Sequence, residues 1–293
     1  MEMIHIPVML KEVVDYLNIR PNGIYIDATV GLGGHAGEIL KRLKDGLLIG
    51  FDKDSEEIAI TEKKLKEISS NFILVNESYE KIPEFLEKKG IKYVDGIFFD
   101  LGLSSYQLEI SKRGFSFKRL DEPLDMRFSK DENLTAEYIL NNYSVNELER
   151  VFRDYGEEPY YRKLAMAICE ERKKKAFKKV EDLVSVVEKI IPKKGRIHPA
   201  TRAFQALRIE VNKELKVFEN TLHRILPFIR KGGRLVVISY HSLEDRIIKN
   251  FLKDKEKEGE MEIITKKVLR PSYEEIRMNQ RARSAKMRVG EKT

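Results

Sequence analysis

The chain has 293 residues, of which 42% are apolar and 35% charged, enough to bury the core of one large domain or two ordinary ones. Basic residues outnumber acidic ones by 55 to 48, for a net charge of +7. The single cysteine, Cys169, excludes an intrachain disulfide framework and any cysteine-rich metal site, as expected of a chain in a reducing cytosol.

The start of the chain, MEMIHIPVMLKEVVDYL, carries Glu2, Lys11 and Glu12 and has neither a signal-peptide block nor an 18-residue apolar run. The expectation is a cytoplasmic protein that neither leaves the cell nor spans a membrane. Charge is unevenly spread. Residues 162–202 hold 13 basic and 5 acidic side chains, residues 266–293 hold 9 and 3, and the remainder is net acidic. Clustered positive charge favours a polyanion such as nucleic acid, although helix faces solvated by lysine give the same count.

Short β-rich runs follow at 24–28 (IYIDA), 47–52 (LLIGFD), 72–76 (FILVN) and 96–101 (GIFFDL). Helical patterns separate them near Gly37–Leu43, Glu56–Ile68 and Tyr79–Lys89. Apolar strands alternating with amphipathic helices predict an α/β fold, a doubly wound parallel sheet covered on both faces. The next strand-like run, RLVVISY (234–240), comes more than 130 residues later, after a helical run at Phe218–Ile229. A crossover needs only a few dozen residues, so the excess reads as an insertion. Its apolar spacing, as at Leu183, Val186, Val187 and Ile190, is helical. The expected division is a sheet domain from 1–114 and 217–293, with an all-helical domain, 115–216, inserted after the fourth strand.

Between the first strand and its helix runs DATVGLGGHAGEIL (27–40). Gly31, Gly33 and Ala36 satisfy the loose dinucleotide pattern G-x-G-x-x-A, and Asp52 ends the second strand, so a nicotinamide oxidoreductase is one reading. Asp27, four residues before Gly31, favours S-adenosylmethionine: a carboxylate there suits a cationic sulfonium and gives a pyrophosphate nothing. Asp52 is suited to a ribose under either reading. Asp100-Leu-Gly-Leu-Ser-Ser105 places an acid and two hydroxyls at the same edge.

Together, GLGGHAGEIL, FDKD, DLGLSS, HPATRAFQALRIEVNKEL (198–215), ISYHSLEDR (238–246) and NQRARSAKMR (279–288) closely resemble the RsmH (MraW) family. These are bacterial methyltransferases acting on the N4 amine of a cytidine in the decoding region of 16S ribosomal RNA. The resemblance spans nearly the whole chain and implies a Rossmann-like methyltransferase sheet. It implies S-adenosylmethionine contacts from Gly33, Gly34, His35, Asp52, Tyr79, Asp100 and Gln107, and 16S RNA, in the small subunit, as partner. Many amino-methyltransferases of this fold carry an (Asp/Asn/Ser)-Pro-Pro-aromatic motif after the fourth strand. Here DLGLSS replaces it, and Asp100, Ser104 or a backbone carbonyl of 100–105 is expected to accept from the amine.

Ser242 with Asp245 reads as a helix cap rather than part of a hydrolase triad. His241 and Tyr240 end a strand at the active edge and are candidates to face the target base. Arg281, Arg283, Lys286 and Arg288 form a basic tail suited to phosphates, and Arg172–Lys175 with Lys178 and Lys179 a second cluster. Phe115 and Phe117 are candidates to stack on an extruded base. The histidines, His5, His35, His198, His223 and His241, have no mutual ligand spacing, and no metal is expected. A noncatalytic RNA-binding module is the non-enzyme alternative.

Overall fold

The structure is a computed structural model and describes residues 7–193, 195 and 198–293, so Glu2 and His5 lie outside the described residues. The chain divides into two compact units, Met1–Ser104 with Leu215–Thr293, and Ser105–Glu214. The second unit begins ahead of Phe115 because the preceding residues bond onward into it. The Arg119 guanidinium, for example, donates to the carbonyl of Glu109.

The first unit contains α1 (Leu10–Leu17), β1 (Ile24–Asp27), α2 (Gly34–Leu40), β2 (Leu47–Phe51), α3 (Ser55–Lys66), β3 (Phe72–Val75), α4 (Ile82–Lys89) and β4 (Val94–Asp100). The second unit contributes α5 (Ser105–Glu109), α6 (Ala136–Asn142), α7 (Val145–Asp154), α8 (Tyr161–Lys174), α9 (Val180–Ile190) and α10 (Ala200–Asn212). The first then resumes with α11 (Glu214–Ile225), β5 (Ile229–Ser239), α12 (Ser242–Lys257), β6 (Met261–Ile263), α13 (Tyr273–Met278) and β7 (Lys286–Lys292).

Its seven strands lie in the order β3-β2-β1-β4-β5-β7-β6. The first five are mutually parallel, and β7 runs antiparallel to both β5 and β6. This is the doubly wound α/β sheet expected from the alternation of strands and helices. Successive residues of each strand point to opposite faces. Thus Ile26, Ile49, Phe99 and Val237 pack with Phe218, Leu222 and Ile225 of α11 and Ile248 and Phe251 of α12. Their neighbours Tyr25, Leu48, Phe98 and Val236 pack with Val13 and Leu17 of α1, Ile39 of α2 and Leu65 of α3. Strands buried on both faces must be apolar throughout, which is why they stand out in the sequence.

Two local expectations are corrected. Residues 286–292 are not a free basic tail but an interior strand between β5 and β6. Met287 and Val289 alternate with the charged residues and are fully buried, a period-2 pattern that a charge count conceals. The N-cap of α12 is His241, not Ser242. The His241 Nδ1 accepts from the Glu244 N–H at 3.4 Å, while Glu244 Oε2 accepts from the N–H groups of Tyr240 (2.9 Å) and His241 (3.4 Å). Glu244 occupies N3, and its side chain, one methylene longer than that of Asp245, reaches back to the cap, so the box lies one position earlier than expected.

Within the second unit, Leu183, Val186 and Val187 are buried on one face of α9, and Cys169 of α8 is buried. Ser144 and Glu147 form a reciprocal capping box on α7. Among the described residues, no helix is long and apolar enough to cross a membrane.

Candidate active site

In the strand order, β1 and β4 are neighbours from which the connections run in opposite directions, the point where open α/β sheets bind ligands at their carboxyl edge. Asp27 and Asp100 end those two strands, Asp52 follows β2, and Tyr240 follows β5. Register fixes their proximity: Asp27 pairs with Gly50 on one side and Phe98 on the other, and Asp100 with Ile238.

The glycine turn is held from outside. The Gly31 N–H donates to Asp52 Oδ2 and the Asp54 N–H to Asp52 Oδ1, both at 2.9 Å. Thr61 on α3 donates its hydroxyl to the Gly31 carbonyl. Gly33 has φ +75°, and a Cβ there would stand 2.7 Å from Thr61 Cγ2, so only glycine fits. The Asp52 carboxylate thus clamps the loop, a duty the sequence did not reveal. A diphosphate would seek loop N–H groups at the helix start. The Gly31 N–H is already engaged by an acid.

Asp27 and Asp100 are short of cationic partners. Asp27 is 1% exposed and accepts from the Thr29 N–H at 3.2 Å. Burial, together with the negative charges of Asp100 and Asp52, pushes its pKa up to about 8. Asp100 is also raised by burial, with His35 and a hydrogen bond from Tyr240 acting the other way. That bond runs from the Tyr240 hydroxyl to Asp100 Oδ1 at 2.8 Å. Gly102 makes room for it, since a Cβ there would meet the Tyr240 ring at 2.7 Å. A sheet edge with buried acids of raised pKa favours a cation over a polyanion.

The other expected residues fall as follows. The His35 ring is 6% exposed, faces inward against Phe98 and is 2.9 Å from the Val8 carbonyl through Nε2. Only its main chain remains for the glycine turn. Gly34 opens α2. Tyr79 starts a short 3₁₀ turn and packs edge-on against Phe99 at 5.4 Å. Ser104 donates to Glu57 Oε1 at 2.7 Å, and that buried glutamate lies near Gly31. This bond occupies the Ser104 proton. Gln107 is buried on α5, in the other unit. His241 is absorbed in the α12 cap.

Of the basic residues, Lys286 and Arg288 pair with Asp245 at 3.3 and 2.6 Å, so the structure uses their charge internally. Arg283 is exposed and Arg281 half-buried. In the second unit Arg172 donates to the carbonyls of Leu140 and Tyr143. Lys173, Lys174 and Lys175 pair with Glu170, Glu171 and Asp182. Phe115 is buried and stacked on Phe128, so it presents no open face, while Phe117 is half-buried and has His198 stacked on it at 4.5 Å.

Residues 2–293 match the model of the MraW methylase family. The chain belongs to the MraW methylase family. It is 52% identical over 292 residues to a protein of Dictyoglomus turgidum named Ribosomal RNA small subunit methyltransferase H, covering 99% of this chain and 98% of that one. Proteins of the same name from Dictyoglomus thermophilum and Clostridioides difficile are 53% and 44% identical, covering 99% and 100% of this chain and 97% and 100% of theirs. In this MraW methylase, Gly33, Asp52 and Asp100 therefore sit at the sheet edge where the sequence motifs converge.

Proposed function

We propose that the protein transfers a methyl group from S-adenosylmethionine to the N4 amine of a cytidine in the decoding region of 16S ribosomal RNA, within the small subunit. The observation that carries the RNA substrate is the end-to-end likeness to relatives named as small-subunit ribosomal RNA methyltransferases. The cytidine and its position rest on the motif resemblance. The cofactor reading is supported by the buried acids, which suit a sulfonium and oppose a diphosphate.

When bound, S-adenosylmethionine supplies an electrophilic methyl on a positively charged sulfur. The Gly33–Gly34 turn and the main chain of His35 would cradle it, Asp52 would engage its ribose, and Tyr79 would complete the site on this unit. Asp27 and Asp100 supply negative potential at the carboxyl edge, where preorganised charge acts most strongly. The enzyme's main task is to align the amine with the methyl in a displacement that needs no covalent intermediate. The amine lone pair is delocalised into the ring, so an acceptor at its N–H groups helps it rehybridise. Asp100 Oδ2 and the Ser104 oxygen are the side-chain acceptors proposed. Arg281 and Arg283 are the proposed phosphate contacts. Lys286 and Arg288, in the same basic stretch, are set aside because Asp245 neutralises them.

The test is to supply the protein and radiolabelled S-adenosylmethionine to small subunits from cells lacking it, then map the label on the RNA. Label confined to one cytidine N4 is expected. No transfer, or transfer to another base, would refute the assignment.

A further inference from the structure

Asp100 is fixed from three directions. Its N–H donates to Thr29 Oγ1 at 2.7 Å, its Oδ1 accepts from Tyr240 at 2.8 Å, and its Oδ2 lies 3.8 Å from His35 Nδ1. The tautomer of His35 follows from its other nitrogen. Nε2 is 2.9 Å from the Val8 carbonyl oxygen, which can only accept, so Nε2 carries the hydrogen. In the neutral ring Nδ1 is then a bare lone pair, and it faces a carboxylate oxygen. Two acceptors face each other in a buried place unless a proton sits on one of them.

The groups around this pair do not supply a compensating cation. Asp27 on β1 and Asp52 after β2 are acids, as is Glu244 on α12, which acts on Asp100 through its charge. Tyr240 is neutral, its pKa driven well above the usual phenol value by burial and by Asp100, so it stays a donor. Among the described residues no lysine or arginine forms an ion pair with Asp27 or Asp100. Burial lowers the pKa of His35 and raises that of Asp100, so both groups are pushed toward their neutral forms, which for Asp100 is the protonated carboxyl.

We infer that the ligand-free site stores a proton on Asp100 Oδ2, against His35 Nδ1, and that arrival of a sulfonium cation expels it to water whereas the neutral thioether product leaves it in place. The inference rests on the S-adenosylmethionine reading above. The positive sulfur replaces the proton as the charge that the acids need, and S-adenosylhomocysteine carries no such charge. The site therefore distinguishes methyl donor from spent product by charge, in addition to shape. Asp27 shares the same surroundings and adds to the release when it is protonated.

Calorimetric titration in two buffers of different ionisation enthalpy counts the protons released per ligand, with no turnover required. Across a pH series, more protons are expected to leave with S-adenosylmethionine than with S-adenosylhomocysteine. Equal counts for the two ligands overturn the inference while leaving the cofactor assignment intact. Failure of both to bind overturns the cofactor assignment itself, and the inference with it. Asp100→Asn should lower the count for S-adenosylmethionine, and an unchanged count would place the stored proton elsewhere. The milder Tyr240→Phe, checked for folding by circular dichroism, removes one donor to the ionised carboxylate. It should move the midpoint of release against pH upward, which a purely structural role would not do.

Discussion

Arg288 Nε lies 2.6 Å from Asp245 Oδ1, and this contact ties β7 to the first turn of α12. Both side chains are 14% exposed, and Lys286 adds a second contact at 3.3 Å. Arg288→Ala leaves Asp245 largely buried with a weakened partnership, and should cost about 1–3 kcal/mol in urea unfolding. It should not alter the salt dependence of RNA binding. A stable variant with a shallower salt slope would return Arg288 to the RNA surface.

The same pair has an acid signature. Burial acts to raise the pKa of Asp245, but the hydrogen bond from Arg288 and the charges of Arg288 and Lys286 outweigh it, and the net shift is downward. A carboxyl with a folded-state pKa below its unfolded value contributes stability above the unfolded pKa, roughly pH 4, and that contribution is lost as pH falls through the folded value. Thermal melts below about pH 4 should therefore show a shallower acid decline in Asp245→Asn than in the parent.

Asp27 works in the opposite sense. Its folded pKa of about 8 lies far above that of an unfolded aspartate, so the folded chain holds the proton more tightly. Stability from this group is complete below roughly pH 4 and is lost as pH rises through about 8. Ligand-free protein should melt at progressively lower temperature toward alkaline pH, and Asp27→Asn should flatten that slope. An unchanged slope would mean that Asp27 ionises without penalty.

Two glycines separate stability from site geometry. Gly33→Ala imposes a left-handed backbone on alanine and drives its Cβ into Thr61, at 2.7 Å. A destabilisation of about 1–3 kcal/mol by unfolding and a sharp fall in cofactor affinity are expected. Gly102→Ala instead presses on the Tyr240 ring, at 2.7 Å, without a positive φ. It should displace the hydroxyl from Asp100 and reduce kcat more than it reduces the melting temperature. Wild-type turnover in Gly102→Ala would remove Tyr240 from any positioning role.

Arg281 and Arg283 test the RNA surface. Replacing both with alanine should weaken binding to small-subunit RNA and reduce the slope of log affinity against log salt by about one for each phosphate that is no longer neutralised. An unchanged slope would exclude them from the phosphate-binding surface.

The sheet was legible because its central parallel strands β1, β2 and β4 are buried on both faces, so IYIDA, LLIGFD and GIFFDL are apolar blocks with an acid at or next to their ends. The glycine turn was legible for a similar reason, since few residues tolerate the backbone at Gly31 and Gly33. Strand β7 was hidden because four of its seven residues are charged and find partners across the fold at Asp245, Arg234 and Glu260, which local composition cannot anticipate. The same limit hid the grip of Asp52 on Gly31, 21 residues away in sequence. His35 illustrates it differently: its motif position is at the ligand turn, but its ring turns toward Val8 and Asp100. Motifs locate a backbone; long-range contacts decide which way a side chain points.

Strands β4 and β5 are hydrogen-bonded neighbours, yet the whole of Ser105–Glu214 is synthesised between them. At about 5–20 residues per second, the ribosome needs roughly 5–20 s to make those 110 residues. Throughout that interval the nascent chain displays the bare edge of β4, with Phe99 awaiting cover from α11 and α12, which do not yet exist. Chaperone demand in this protein should therefore peak during elongation through the insertion, and slowing translation there should raise the aggregated fraction.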